Sequence, residues 1–172
     1  MTVRILNPSD VDIFRSLRLE ALELDPDNFA SDRDEWEVMS EDQWRSFLEN
    51  EPIFAAFDDE QAVGITGLIF QKRRRMAHRC GIGMVYVRRS HRGCGIADSL
   101  LKAAINHARN LGIRQVELSV NAENSGAIRL YERHGFTHYG RLPRGFRQGK
   151  GFVDDALMVL ALDTTDEQIN KL

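Results

Sequence analysis

The sequence predicts one α/β domain built on a mixed sheet covered by helices, and three observations predict it. Strand-type and helix-type stretches alternate along the chain, with hairpin-like strand pairs toward both ends. A length of 172 residues, 42% of them hydrophobic, suits a single full core, and no repeat or linker divides it. A β-type run, Met84-Val85-Tyr86-Val87, leads through Arg88-Arg89-Ser90-His91 and the glycine loop Arg92-Gly93-Cys94-Gly95-Ile96-Ala97 into a long amphipathic helix.

Taken in order, Val3 to Leu6 reads as a short strand, and Asn7-Pro8-Ser9-Asp10 as a turn with Ser9 or Asp10 capping the next helix. Ile13, Leu17, Ala21 and Leu24 mark one face of that helix, which Asp25-Pro26 ends. Residues Asp27 to Met39 have weak periodicity and suit an adaptable loop or short helix at a substrate wall. A second helix starts at Ser40 and carries Trp44, Phe47 and Leu48. Ile53 to Phe57 and Ala62 to Gln71 are apolar runs joined by a polar turn, which predicts a hairpin. Lys72 to Arg75, without interleaved aromatics, reads as a solvated hairpin tip rather than a nucleic-acid patch. The strand from about Ala77 to Val87 contains Gly81 and Gly83, which suggest a bulge or a close approach to the backbone.

The long helix is marked by Ala97, Leu100, Leu101, Ala104, Ile105, Ala108 and Leu111, with Gly112 as its stop. Val116, Leu118 and Val120 alternate with polar residues as a half-buried strand, and Asn124 caps a helix stopped by Gly135. Phe136 to Tyr139 and Phe152 to Leu162 read as a last strand pair, joined by a basic excursion from Arg141 to Gly151. The tail beyond Asp163 is polar and peripheral.

Strand, glycine turn and helix in that order make an anion cradle, because a helix start leaves N-H groups unpaired and glycine removes the Cβ atoms that would block an anion. The dinucleotide fingerprint needs a third small residue where Asp98 stands, and the triphosphate loop needs a G-K-S/T that is missing. The loop by itself leaves open a plain glycine turn that binds nothing.

Composition sets further bounds. A net charge of -3 argues against a nucleic-acid partner. Met1-Thr2-Val3-Arg4 has no apolar signal core, and no apolar run reaches the ~20 residues of a membrane span, so a cytoplasmic protein without a membrane partner is expected. Cys80 and Cys94 lack metal-type spacing, so reduced thiols and no metal are expected. Glu20 to Glu51 holds 12 acids and 2 bases, whereas Lys72 to Lys150 holds 17 bases and 4 acids. Such asymmetry suggests a different partner for each segment, a phosphate-rich ligand for the basic one and, for the acidic one, either a cation or plain solvent on a pair of helix faces.

Arg92, Gly95 and Ala97 fit R-x-x-G-x-A, and Asn124, Ala127, Leu130, Tyr131, Gly135 and Phe136 fit N-x-x-A-x-x-L-Y-x-x-x-G-F. Both motifs, in this order, resemble those of the Gcn5-related N-acetyltransferase (GNAT) family, over roughly Ile53 to Leu162. The resemblance implies residues 1-172 as one N-acetyltransferase domain, with a mostly antiparallel sheet splayed between its fourth and fifth strands and helices on both faces. Acetyl-CoA would lie in the gap, its pantetheine arm against Met84 to Val87. The backbone N-H of Val85 would polarise the thioester carbonyl. Gly93, Cys94, Gly95, Ile96 and Ala97 would hold the pyrophosphate, with charge from Arg92 and from Arg88. Asn124 and Ala127 would contact the arm, and Tyr131 would act as general acid beside the sulfur.

Direct attack needs a neutral amine, support for negative charge on the carbonyl oxygen, and a proton for the departing thiolate. For the base, Glu117, Ser119, His78 and a water chain stay open. The resemblance implies a small primary amine, such as an amino acid, polyamine or antibiotic-like amine, as acceptor. A protein N-terminal or lysine amine and a non-catalytic acyl-CoA-binding domain are the alternatives. The family is often dimeric, which makes a homodimer the expected assembly.

Overall fold

A computed structural model of the chain describes residues 1-163; the tail predicted to be peripheral lies mostly outside the described residues. Seven strands form one sheet in the order β1-β2-β3-β4-β5-β7-β6. They are β1 (Thr2–Ile5), β2 (Ile53–Asp58), β3 (Gln61–Phe70), β4 (Arg79–Val87), β5 (Gln115–Asn121), β6 (Thr137–Gln148) and β7 (Gly151–Ala161). Among the described residues only β4 and β5 pair in parallel.

Period-two alternation divides the core in two. Phe54 and Ala56 of β2 face one cluster with α4 (Ile96–Asn110) and α5 (Ser125–Arg133), whereas Ile53, Ala55 and Phe57 face another with α1 (Val11–Leu24) and α3 (Glu41–Asn50). Phe14 and Trp44, both fully buried, meet edge to face with ring centroids 5.1 Å apart. A short α2 (Arg33–Glu37) carries Trp36 against the same rings.

The splay has a local cause. β4 and β5 pair over only three positions, Arg79 to Gly81 with Gln115 to Glu117, although both strands run on. Beyond Gly83 the register against β3 shifts, so that Met84 and Val85 together oppose Thr66. This is a bulge, and Met84 takes φ +57° there, a conformation that costs a non-glycine residue about 1–2 kcal/mol. Thr66 Oγ1 donates to the Gly83 carbonyl at 3.2 Å and braces it. The Met84 side chain covers Gly67, where a Cβ would come within 2.6 Å of its terminal methyl.

Four sequence readings change. Asp10 stands at the N-cap of α1 but makes no side-chain cap bond; the side-chain cap is Asn7, on the 3-10 turn Pro8–Asp10 through which the chain enters the helix. The buried stripe of α1 runs through Phe14, Leu17, Arg18 and Ala21, leaving Leu24 at the helix end 44% exposed. In α4, Ile96 rather than Ala97 is the first buried residue, and Leu111 is exposed. The basic excursion after Arg141 is strand: β6 and β7 form one long hairpin with irregularities at His138/Gly140 and Leu142/Phe146. Asp154 anchors the second irregularity, accepting from the Arg144 backbone N-H at 2.9 Å and from Arg141 Nε at 2.8 Å.

Candidate active site

A cleft of about 550 Å³ opens where β4 and β5 diverge. Val85, Tyr86 and Val87 form one wall. Its floor is the start of α4, with Gly93, Gly95, Ile96 and Ala97, and Asn124, Ala127 and Leu130 of α5 face it. Nine of the residues named from sequence therefore gather in one place: Val85, Val87, Arg92, Gly93, Gly95, Ile96, Ala97, Asn124 and Ala127.

The glycines fit an anion. Gly93 and Gly95 sit at φ +79° and +76°, and a Cβ at either would meet nothing within 4 Å, so both expose backbone toward open space. Gly95 is the residue that opens α4, where orphan N-H groups and the helix dipole favour negative charge. Asn124 caps α5 by accepting from Ala127 N-H at 3.0 Å. Acetyl-CoA, the donor that the sequence resemblance implies, brings phosphates that such a cradle would take.

Three named residues stand apart from the cleft wall. The Met84 side chain packs with the α1-side cluster, and Cys94 is exposed beside the loop. Tyr131 lies in the α4-side core, 7% exposed, with its ring edge to face with Phe136 at 5.8 Å. Burial alone raises its phenol to about 12, so its proton is held at neutral pH.

The arginines are not free charges. Arg88 donates from Nε and Nη2 to Glu20 at 2.7 to 3.0 Å, and the Tyr86 hydroxyl donates to Glu20 at 2.8 Å. Burial and that carboxylate both push the Tyr86 phenol up. Arg92 donates from Nε to the Val87 carbonyl at 2.8 Å and from Nη2 to Asp25, which also takes Arg89 Nη2 at 2.9 Å. Burial pushes the Asp25 carboxyl up, but Arg89 and Arg92 outweigh it and hold the group below its ordinary value. Glu20 and Asp25 of the acidic segment thus pair with Arg88, Arg89 and Arg92 of the basic one.

Sequence reasoning missed the turn after α1. Asp25, Asn28 and Phe29 line the cleft, and side-chain bonds tie the turn to the Asn121–Asn124 stretch. Asn124 Nδ2 donates to Asn28 Oδ1 at 2.9 Å, and Asn121 Nδ2 to the Asp27 carbonyl at 3.4 Å. The available signal was Asp25-Pro26-Asp27-Asn28, a run of turn-forming residues. Arg133 also lines the cleft and pairs with Asp98 at 3.2 Å, while His134 meets the same carboxylate at 3.1 Å.

Of the groups considered as base, Glu117 is ion-paired with Arg79 at 3.0 Å and accepts from Gln115 at 2.7 Å, where the strands are still joined. The backbone carbonyl of His78 receives Arg114 and Gln115, at the same closed end. Ser119 is exposed in the middle of the sheet, near Asp155, whose carboxyl burial raises and Ser119 lowers, with a net rise. No three His, Cys, Asp or Glu side chains among the described residues gather as metal ligands, and no described helix is long and apolar enough to cross a membrane.

Comparison with known proteins agrees with this architecture. The model of the acetyltransferase (GNAT) family matches residues 14–136, starting well before the motif-bearing part. N-alpha-acetyltransferase 30 of Schizosaccharomyces pombe is 31% identical over 107 residues, covering 62% of this chain and 68% of that protein. The L-methionine sulfoximine/L-methionine sulfone acetyltransferase of Pseudomonas aeruginosa is 35% identical over 81 residues, 47% of each chain. An acetyltransferase of the GNAT family from Streptococcus pneumoniae superposes with a TM-score of 0.83 at 27% identity, covering 93% of this chain and 98% of that one. YncA of Salmonella typhimurium, solved with its cofactor acetyl-CoA, shares the fold at a TM-score of 0.83 and 22% identity, over 96% of this chain and 95% of its own. The chain belongs to the acetyltransferase (GNAT) family.

Proposed function

We propose that the protein moves the acetyl group of acetyl-CoA directly to a primary amine of a small molecule. The observation that carries this is the turn Pro26–Asn28, which borders the cleft and is bonded to Asn121 and Asn124. An extended peptide needs an open groove there, whereas a small amine does not. The methionine sulfoximine acetyltransferase among the relatives acts on a small molecule by its name, and N-alpha-acetyltransferase 30 supports the protein-acetylating alternative.

Acetyl-CoA supplies an activated thioester, and the residues have separable tasks. Gly93, Cys94, Gly95, Ile96 and Ala97 would receive the pyrophosphate on backbone N-H groups, with Arg92 and Arg133 at the rim. Met84 to Val87 would align the arm, Asn124 and Ala127 would touch it, and the Val85 N-H would support charge on the carbonyl oxygen. Tyr131 would give the proton to the leaving sulfur. Because Glu117 is occupied by Arg79, the amine proton would leave through water along Ser119 and Asp155. A homodimer in the cytoplasm completes the reading, and sedimentation of the purified protein tests the assembly.

The deciding experiment offers acetyl-CoA with an equimolar mixture of small primary amines and N-terminal peptides, followed by mass analysis of the products. Acetylated small amines support the proposal. Acetylation confined to the peptides replaces it with the protein-directed alternative.

A further inference from the structure

Arg18 is a charge the fold has left without an answer. It lies on the buried face of α1 and is 3% exposed. Its guanidinium carbon stands 4.4 Å from the ring centre of Trp36 and 5.1 Å from that of Phe29. Nε and Nη1 are both fully enclosed and without a hydrogen-bond partner among the described residues. A buried guanidinium with unpaired N-H groups is among the costliest arrangements in a protein interior. Arg79 also has an enclosed, unpartnered Nε, yet its charge is met by Glu117 at 3.0 Å.

Carboxylates are plentiful nearby, and they are committed elsewhere. Glu20 holds Tyr86 and Arg88, Asp25 holds Arg89 and Arg92, and Glu23 pairs with Arg33. Glu35 influences Arg18 only through space, while its own carboxylate accepts from Asp32 N-H in a helix cap. Next to a segment, Glu20 to Glu51, with 12 acids and 2 bases, leaving this one fork open is a specific feature of the packing. Burial lowers Arg18 to about 10, so it stays charged at neutral pH.

Position gives the open fork a use. Phe29 is at once a ring on the guanidinium and a wall of the cleft, beside Asn28 and facing Val85, so Arg18 lies one aromatic ring from the end where an amine would approach the thioester. A planar guanidinium held between aromatic faces presents its N-H groups edge-on, the geometry that receives a carboxylate through two hydrogen bonds. We infer that Arg18 recognises a carboxylate on the acceptor, which makes the acceptor class an amino acid or a close analogue rather than a polyamine. The inference rests on the small-amine reading above. It requires the Phe29 side chain to turn aside as the acceptor enters, in a turn held by two side-chain bonds, one of them 3.4 Å long.

The test is thiol release from acetyl-CoA with matched pairs of acceptors: leucine against isoamylamine, and phenylalanine against phenethylamine. Wild type should favour the carboxylate member by roughly 10- to 100-fold in kcat/KM, the range of a charge-assisted hydrogen bond. Arg18→Gln should collapse that ratio toward one, mainly through KM for the amino acid, and Arg18→Lys should restore part of it. A loss of folded enzyme lowers both members of a pair together and leaves the ratio standing, which contradicts the inference. Equal use of both members by wild type overturns it while the small-amine reading stands. Acetylation of peptides with neither member of a pair used overturns both.

Discussion

Asp25, the residue after α1, receives Arg92 Nη2 and thereby joins the acidic N-terminal segment to the loop that opens α4. Its side chain is 9% exposed, against 44% for Arg92, and Arg89 lies on the same carboxylate. Any phosphate arriving at the loop meets an arginine already partly neutralised. Asp25→Asn should therefore lower KM for acetyl-CoA by about threefold, whereas Arg92→Ala should raise it roughly tenfold.

The same carboxylate has a stability signature. Its folded pKa lies below the ordinary value, so its contribution is full above the unfolded pKa and is lost as pH falls through the folded one. Asp25→Asn should cost about 1 kcal/mol at neutral pH, after allowance for the exposed guanidinium groups, and nothing in acid. Melting temperatures across pH check this; a gap that widens in acid contradicts the pairing.

Gly95 and Gly112 make an internal control. Their φ values are +76° and +75°, and neither has an atom within 4 Å of its Cβ position, but only Gly95 lines the cleft. Alanine at either should cost about 1–2 kcal/mol of stability. Gly95→Ala alone should also raise KM for acetyl-CoA, because its new methyl points into the space assigned to phosphate. Steady-state kinetics beside thermal melts separates the two effects.

Tyr131 packs in the core, and removing its hydroxyl leaves the edge-to-face pair with Phe136 intact. Tyr131→Phe should lower kcat by roughly 100-fold with acetyl-CoA affinity kept, as loss of a general acid does. Equilibrium binding of acetyl-CoA beside single-turnover rates checks this. An unchanged kcat would remove the residue from proton transfer.

Asp155 has the opposite sign to Asp25. Its folded pKa is raised, first by burial, so the stability tied to its neutral form is present below the unfolded pKa and is lost as pH rises through the folded one. Asp155→Asn should stabilise the protein at neutral pH by less than about 1 kcal/mol, with the gain vanishing in acid. Melts over the carboxylate range measure it.

How much was legible in the sequence depended on how local the cause was. The start of α4, the Asn124 cap and the bulge foreshadowed by Gly81 and Gly83 come from constraints within a few residues, and the nine cleft residues were named through the family resemblance of the two motifs. Asp25 to Phe29 did not, since their partners lie far along the chain: Arg89 is 64 residues from Asp25 and Asn124 is 96 from Asn28. The later half of β6 was hidden for another reason. As an edge strand exposed along most of its length, it carries no alternation to read. Arg18 was concealed by its charge, which argues for the surface until the rings of Phe29 and Trp36 are in place.

The central claim, direct acetyl transfer to a small amine from the cleft between β4 and β5, is tested most directly by the rate of thiol release from acetyl-CoA with and without small primary amines. Direct transfer predicts a low background, a saturable rise with a small amine, and loss of that rise in Tyr131→Phe. Stabilisation by acetyl-CoA with no amine-dependent release across a broad amine panel would contradict it.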